Sequence, residues 1–390
     1  MFRIGMEEIE EITKVINSKQ LFKVNSGELR ESENLEAEMR EKFGVPYTLM
    51  MTSGHAALTS ALIGMGVGPG DQVIIPAYTY IATAIAVVAA GAIPVIAQID
   101  ESLTIDPDDI ERKITKATKA IIPVHIQGFP CAMDKIMAIA KKHGLLVLED
   151  ACQGDGGSFK GQRLATIGDA GAFSFNYYKI ISAGEGGALL TKNREIFERA
   201  LIYHDSSAVA FFGTQLDGVT TEPFCGQEFR TNEITSAILR CQLKKLDPIL
   251  ADLRANKKYV MDALADDCAF IKSNDIEGDC GTTIGIMFGT AAEADRFAEA
   301  MNAPGSIPGK TKKHIYADWA SIMNKRGAFH PAMDPFKMEA NKDIIPNYTK
   351  DMCKASLDIL CRVCYIGVNP DWTKAEMDAE IAKIKAALKA

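Results

Sequence analysis

In FSFNYYKIISAGEGGALL a single lysine, Lys179, lies between aromatic residues and the run Ile180, Ile181, Ser182, ahead of a glycine-rich return. Lysines are ordinarily solvated surface charges. Partial desolvation in such company lowers the amine's pKa from about 10.4 and makes it a usable nucleophile. In VLEDACQ the apolar run ends on Asp150, with Gln153 three residues on. A carboxylate at that depth needs a partner, because an unpaired buried charge is costly. A protonated ring nitrogen would supply one; so would the first turn of a helix that Asp150 caps. TSGHAAL stops a strand at Ser53 and Gly54 before a helix begins, which either lets backbone amides approach a phosphate or marks ordinary packing. PAYTYIAT sets Tyr78 and Tyr80 beyond another buried strand, as covers for a flat ring or as core and rim aromatics. Ser174 sits on the strand that leads to Lys179.

Singly these signals are weak. Together they are the parts that pyridoxal phosphate (PLP) chemistry requires: a phosphate cradle, a ring cover, an acid to keep the pyridine nitrogen protonated and a lysine to form the Schiff base.

Strands must carry these groups, since each stands at the end of an apolar run. TLMMTS, DQVIIPA, IPVIAQI, KAIIPVHI, LLVLEDA, AGAFSF and GALLT alternate with helical stretches. This pattern predicts an α/β fold with a mainly parallel central sheet sandwiched by helices, whose ligands bind outside the carboxyl ends of the strands. Two short helices precede it, over 7–16 and 33–43, where apolar residues recur at helical spacing. After Arg230 a long helical pattern, interrupted at Pro248, bridges into a second lobe. That lobe contains the strand TTIGIMFG, the loop PGSIPGK and a terminal amphipathic helix ending AKIKAALKA. We expect a large cofactor-binding domain over 1–245 and a smaller C-terminal α+β domain over 246–390.

With 390 residues, 47% of them hydrophobic, the chain buries a large core, and a disulfide-stapled scaffold is excluded. A net charge of -8 with both signs interleaved leaves no basic stripe for nucleic acid. Nine cysteines, an odd number without framework spacing, read as free thiols of a cytoplasmic protein. Cys361 and Cys364 form a CxxC among apolar residues with no second pair, so we expect buried thiols and no metal site. The N-terminus has no signal pattern, and the apolar run from Ile81 to Ile99 is broken by Gly91 and Pro94, short of a span of ~20 residues. No membrane association is expected.

Over nearly its whole length the chain resembles the DegT/DnrJ/EryC1/StrS sugar aminotransferases of PLP fold type I, which are aspartate aminotransferase-like. The resemblance is densest from Met50 to Leu246: SGHAAL, GDQVIIPAYTYIAT, AGAIPVIAQID, LVLEDACQGDGGSFKGQRLATIGDAGAFSF, the Lys179 segment with GEGG, and FRTNEITSAILRCQLKKLD. Within the family, the EDACQ block, CQLKKLD and IAKIKAALKA are similar to members that aminate an octulosonate. The resemblance implies that Lys179 forms the Schiff base, Asp150 pairs with the pyridine nitrogen and Gln153 lies near the ring hydroxyl. It also implies that Ser174 and the amides of Gly54 and His55 hold the phosphate, with Tyr80 the better placed tyrosine to stack on the ring. It implies a homodimer with shared active sites, a glutamate or glutamine donor, and a keto or aldehyde sugar acceptor, either a nucleotide sugar or a Kdo-like octulosonate.

Two positions depart from the family pattern. His55 replaces the usual Thr after the phosphate-turn glycine, and in GQEFR Glu228 occupies the place of an Asn donated across the dimer to the phosphate. An ionised carboxylate there would repel the phosphate, so Glu228 points elsewhere, Gln227 substitutes, or the cofactor binds less tightly. Arg230 is a candidate for a substrate carboxylate or for a structural ion pair, and His204, His314 and His330 are candidates for sugar contacts or for surface and structural roles. Competing readings are a PLP-dependent sugar dehydratase, which in this family resembles members with histidine in place of the lysine, and a sensor that keeps the fold without turnover. A nicotinamide-binding Rossmann enzyme is excluded, since no GxGxxG follows the first strand.

Overall fold

The computed structural model describes residues 2–24, 27–206 and 218–390. Helices α1 (Met6–Ser18) and α2 (Glu31–Phe43) lead into β1 (Tyr47–Met51), α3 (Gly54–Gly64), β2 (Gln72–Pro76), α4 (Ala82–Ala89) and β3 (Ile93–Ala97). Then come α5 (Pro107–Lys113), β4 (Thr118–Ile121), α6 (Met133–His143) and β5 (Leu146–Asp150). A small hairpin of β6 (Ser158–Phe159) and β7 (Gln162–Arg163) precedes β8 (Ala170–Ser174), β9 (Gly187–Thr191) and α7 (Arg194–His204).

Seven strands form one sheet in the order β1-β9-β8-β5-β4-β2-β3. Only β9 runs against its neighbours β1 and β8; the other pairings are parallel. The expected mainly parallel sheet is therefore present, with one reversed strand next to its edge.

Alternation along each strand divides the core in two. Met50, Ile74, Val147, Phe173 and Leu190 face one core with Leu35 and Met39 of α2, Ile136 of α6 and residues of a long helix, Glu233–Leu264. Leu49, Val73, Leu148, Ala172 and Leu189 face the other, with Leu58 and Ala61 of α3, Val87 of α4 and Phe197 of α7. Both faces of the sheet are thus dry, which is why its strands read as continuous apolar runs.

A second sheet packs three antiparallel strands in the order β10-β11-β12: Ala269–Phe270, Thr283–Met287 and Val363–Gly367. Its Ile284 and Ile286 meet Phe297 of the helix Ala291–Ala300 and Ile384 of the terminal helix Lys374–Ala387. The third strand is the RVCYIG stretch, where Cys364 is buried and Cys361 half-buried.

The expected interruption at Pro248 is corrected by the structure: Glu233–Leu264 is one continuous helix that contains it. Pro248 and Lys244, whose carbonyl loses its helical partner, both face solvent. Leu246, Ile249, Leu250 and Leu253 are buried on the other side, and their burial outweighs the ~3 kcal/mol that an internal proline costs. No helix among the described residues is long and apolar enough to cross a membrane.

Candidate active site

At the carboxyl ends of the central strands lies a pocket of about 510 Å³, within the range that holds a cofactor-sized ligand. Its lining gathers Gly54, His55, Tyr80, Asp150, Gln153, Ser174 and Lys179, which come from segments more than a hundred residues apart.

Ser53 caps α3: its Oγ accepts the Ala56 amide at 3.1 Å. The amides of Gly54 and His55, first in the helix, have no partner within it and carry the positive end of its dipole. A Cβ at Gly54 would lie 2.7 Å from Cys152 Sγ and 2.7 Å from Ser174 Cβ, so only glycine allows α3 to start against the ends of β5 and β8. Ser174, on the last residue of β8, therefore stands beside those amides, giving a hydroxyl and two N–H groups for a phosphate. Burial lowers the pKa of His55, which favours its neutral imidazole.

Asp150 is 5% exposed. Its Oδ2 accepts the Thr83 hydroxyl at 2.7 Å and its Oδ1 accepts the Cys152 amide at 3.1 Å. No helix follows β5, so of the two readings open for Asp150 the helix cap is removed. Next to it, Glu149 accepts the amides of Ala165, Ile167 and Gly168 at 3.1, 2.6 and 2.8 Å, and pairs with His125 at 3.1 Å. These bonds anchor the end of β5.

Gln153 accepts the Gln127 amide at 2.9 Å. Gln127 holds a left-handed backbone, φ 53°, and binds the second sheet through the hydroxyls of Thr282 and Thr283 at 2.6 and 3.1 Å. Tyr80 lines the pocket and is 47% exposed, whereas Tyr78 is buried beneath. Lys179 occupies the turn between β8 and β9, its amide donating to Asn176 O at 3.0 Å.

The rim was harder to foresee. Thr282, Lys313, His314, Asn176, Tyr178 and Glu185 also line the pocket. His314 lies 5.7 Å from the Tyr80 ring, and burial together with the charges of Lys313 and Lys179 pushes its pKa down to about 4. Lys313 Nζ sits 6.0 Å over the ring of Tyr178. Of the three histidines expected as candidates for sugar contacts, His314 does reach the lining, and Thr83 also carried a readable signal, since it follows Tyr80 at helical spacing and therefore shares its side of the turn.

Glu228 and Arg230 are not brought into this lining. They form an ion pair with each other. Arg230 also donates to Asp205 O at 3.0 Å and stands 5.1 Å over the Phe22 ring. His204 is buried at the last position of α7 with Nδ1 2.7 Å from Leu201 O, and His330 receives the Ala332 amide at an exposed turn. Neither reaches the pocket. Among the described residues, no three His, Cys, Asp or Glu side chains cluster as metal ligands would.

The donor set fits PLP on structural grounds: an anion cradle that a Cβ would fill, a strand-end carboxylate for a ring nitrogen, an exposed aromatic ring and a primary amine open into one cavity. Comparison with known proteins places this arrangement. The chain is 38% identical over 249 residues to the spore coat polysaccharide biosynthesis protein SpsC of Bacillus subtilis, covering 63% of each chain. It is 37% identical over 209 residues to the GDP-perosamine synthase of Caulobacter vibrioides, covering 53% of this chain and 55% of that one. The chain thus spans less than two thirds of the length of these relatives. Along its full length, the X-ray structure of an aminotransferase from Psychrobacter cryohalolentis superposes with a TM-score of 0.78 at 25% identity, covering 99% of this chain and 98% of that one. The family model of these proteins matches residues 3–303, and the chain belongs to the DegT/DnrJ/EryC1/StrS aminotransferase family.

Proposed function

We propose that this chain is a PLP-dependent aminotransferase that moves an amino group from glutamate or glutamine to a keto or aldehyde sugar. Members of the family depend on PLP. The observation that carries the reading is that Lys179, Asp150 and the Gly54–His55–Ser174 cradle share one pocket. When bound, the cofactor supplies an electron sink for the carbanion formed at the donor's α-carbon. The protein's own groups do the rest. The Lys179 amine is the covalent anchor and then carries the proton between carbon atoms of the reacting molecules. Asp150, fixed by Thr83 and the Cys152 amide, holds its charge against the ring nitrogen. Tyr80, in the pocket lining, would stack on the ring. Gln153, tied to Gln127, would meet the ring hydroxyl.

The rim supports an acceptor that carries negative charge. Among the described residues of the lining, Lys313 is the lysine left once Lys179 is committed to chemistry, and it suits a nucleotide diphosphate or the carboxylate of a Kdo-like octulosonate. A homodimer with shared sites fits the surface: Met6, Ile9 and Ile16 of α1 are 62, 55 and 51% exposed, and Phe2 joins this face to Tyr177 beside the pocket, with rings 5.4 Å apart. Free cysteines throughout the described chain suit a reducing cytoplasm.

The test is an absorbance spectrum of the purified protein with PLP, before and after glutamate or glutamine. A yellow protein that bleaches on adding the donor supports transamination. A protein that takes up no PLP sinks the reading, and a yellow protein indifferent to every donor favours the sensor.

A further inference from the structure

Gln127 lines the pocket with a backbone that its residue type disfavours. Its φ of 53° and ψ of 17° lie in the left-handed region, and it is not a glycine. A Cβ crowds the following carbonyl in that conformation, so the surrounding structure must hold it. The holding bonds come from the second sheet. Thr282, 7% exposed, donates its hydroxyl to Gln127 O at 2.6 Å, and Thr283, 5% exposed and first in β11, donates its own to Gln127 Oε1 at 3.1 Å. The main chain is pinned on both flanks as well. His125 N donates to Asp150 O at 3.0 Å, Gly128 N to His125 O at 3.1 Å, and Cys280 N to Gly128 O at 3.1 Å. A Cβ at Gly128, where φ is 78°, would lie 2.5 Å from Cys280 Cβ, so this segment is pressed against the second sheet with no room to slide.

The left-handed turn aims the Gln127 amide at Gln153. That N–H can only donate, so its partner at 2.9 Å must be the carbonyl oxygen Oε1, and the end of Gln153 cannot be turned the other way round. Gln153 lines the pocket, and its Nε2 has no partner among the described residues. The free polar end of this side chain is therefore a donor and nothing else.

We propose that Gln127 is a positioning residue: held left-handed by Thr282 and Thr283, it fixes Gln153 with the NH2 group toward the ring oxygen of the cofactor. A donor there stabilises the ionised oxygen and weakens its hold on the proton that it shares with the Lys179 nitrogen. The second sheet thus tunes, through two hydroxyls and one amide, a group bound against the first. The proposal rests on the pocket holding PLP, as read above.

Two measurements on the full-length protein test this. In the cofactor-free protein, hydrogen exchange is read at single amides by mass spectrometry. The Gln127 amide should exchange about tenfold or more faster in Gln153→Leu than in wild type, while the Gly128 amide, bonded to His125 O, should not change. In the PLP-loaded protein, the pH midpoint of the visible band is compared among wild type, Gln153→Leu, Gln127→Val and Gln127→Gly. Both Gln127 variants lose the side-chain bond to Thr283, but only glycine adopts the left-handed backbone freely, so their difference isolates the conformation. Gln127→Val should raise the midpoint by about half a pH unit or more, in the same direction as Gln153→Leu, because an oxygen without its donor keeps the proton to higher pH. Gln127→Gly should stay close to wild type. A residue that merely braced the fold would lower stability in both variants and leave the midpoint alone.

Equal midpoints in the Val and Gly variants overturn the proposal, as does a Gln127 amide that exchanges equally fast with and without Gln153. Should Gln127→Val fail to fold by circular dichroism, Gln127→Ala takes its place and must shift in the same direction. Wild type that takes up no PLP, with the Gln127 amide still slowed by Gln153, sinks the functional reading and supports the hold of Gln127 on Gln153. Wild type that takes up PLP while every variant keeps its midpoint sinks the proposal alone.

Discussion

The floor and the rim of the pocket are built from different kinds of chain. The floor is made of strand ends: Asp150 closes β5, Ser174 closes β8, and Gly54 opens the helix after β1, all held by the ladder of one sheet. The rim comes from short turns. Lys313 and His314 lie in one of several 3₁₀ turns between Pro304 and Asn341, tied to the floor where the Thr79 and Ile81 amides donate to His314 O and Lys313 O at 3.0 and 3.3 Å. A rigid floor suits groups that must meet a reacting atom with little tolerance, whereas turns can change with the substrate without disturbing the sheet. Chemistry should therefore fail when the floor is altered, and specificity when the rim is.

Lys179→Ala should show the largest effect, losing the covalent cofactor and about a thousandfold or more in turnover, read by absorbance and single-turnover assays. Turnover that survives would move the chemistry off this residue. Asp150→Asn should keep the fold and cost about a hundredfold in kcat, since a neutral amide cannot hold a ring nitrogen protonated. If it instead changed only KM, the division between floor and rim would break. Lys313→Ala should raise the acceptor's KM about tenfold with kcat nearly unchanged, as loss of one charge-assisted contact would do. An equal fall in kcat would count the rim among the groups of the chemical step.

The smallest effect concerns pH. His314 titrates at about 4 in the folded chain against 6.5 when unperturbed, so between those values the unfolded state binds more protons. Stability is then lost as pH falls through that window. His314→Asn should flatten this part of the profile, measured by urea unfolding at a series of pH values. An unaltered slope would show that the imidazole is not held neutral against the rim.

Much of the floor was legible because its signals are local. Asp150, Ser174 and the Ser53–Gly54 turn each end an apolar run, and side-chain alternation and residue type are properties of a few neighbours. Glu228 and Arg230 stand in a readable motif, yet in the folded chain they pair with each other, and no motif states whether an arginine's reach ends on a ligand or on the next carboxylate. Pro248 misleads for the same reason: a local rule breaks the helix, and burial of Leu246, Ile249 and Leu250 restores it.

The amino-acid sequence alone determined the seven strands of the main sheet, that this sheet is mainly parallel, and that a lysine, an acid and a phosphate turn stand at strand ends, because hydrophobic period and residue type encode these directly. Only the tertiary structure decided that Thr83 would fix Asp150, that Gln127 would tie the second sheet to Gln153, and that Lys313 and His314 would close the mouth. It also buried Asp155 without a hydrogen bond to its carboxyl among the described residues. Those outcomes depend on which distant segments pack together, and pairwise packing across more than a hundred residues leaves no periodic trace in the chain.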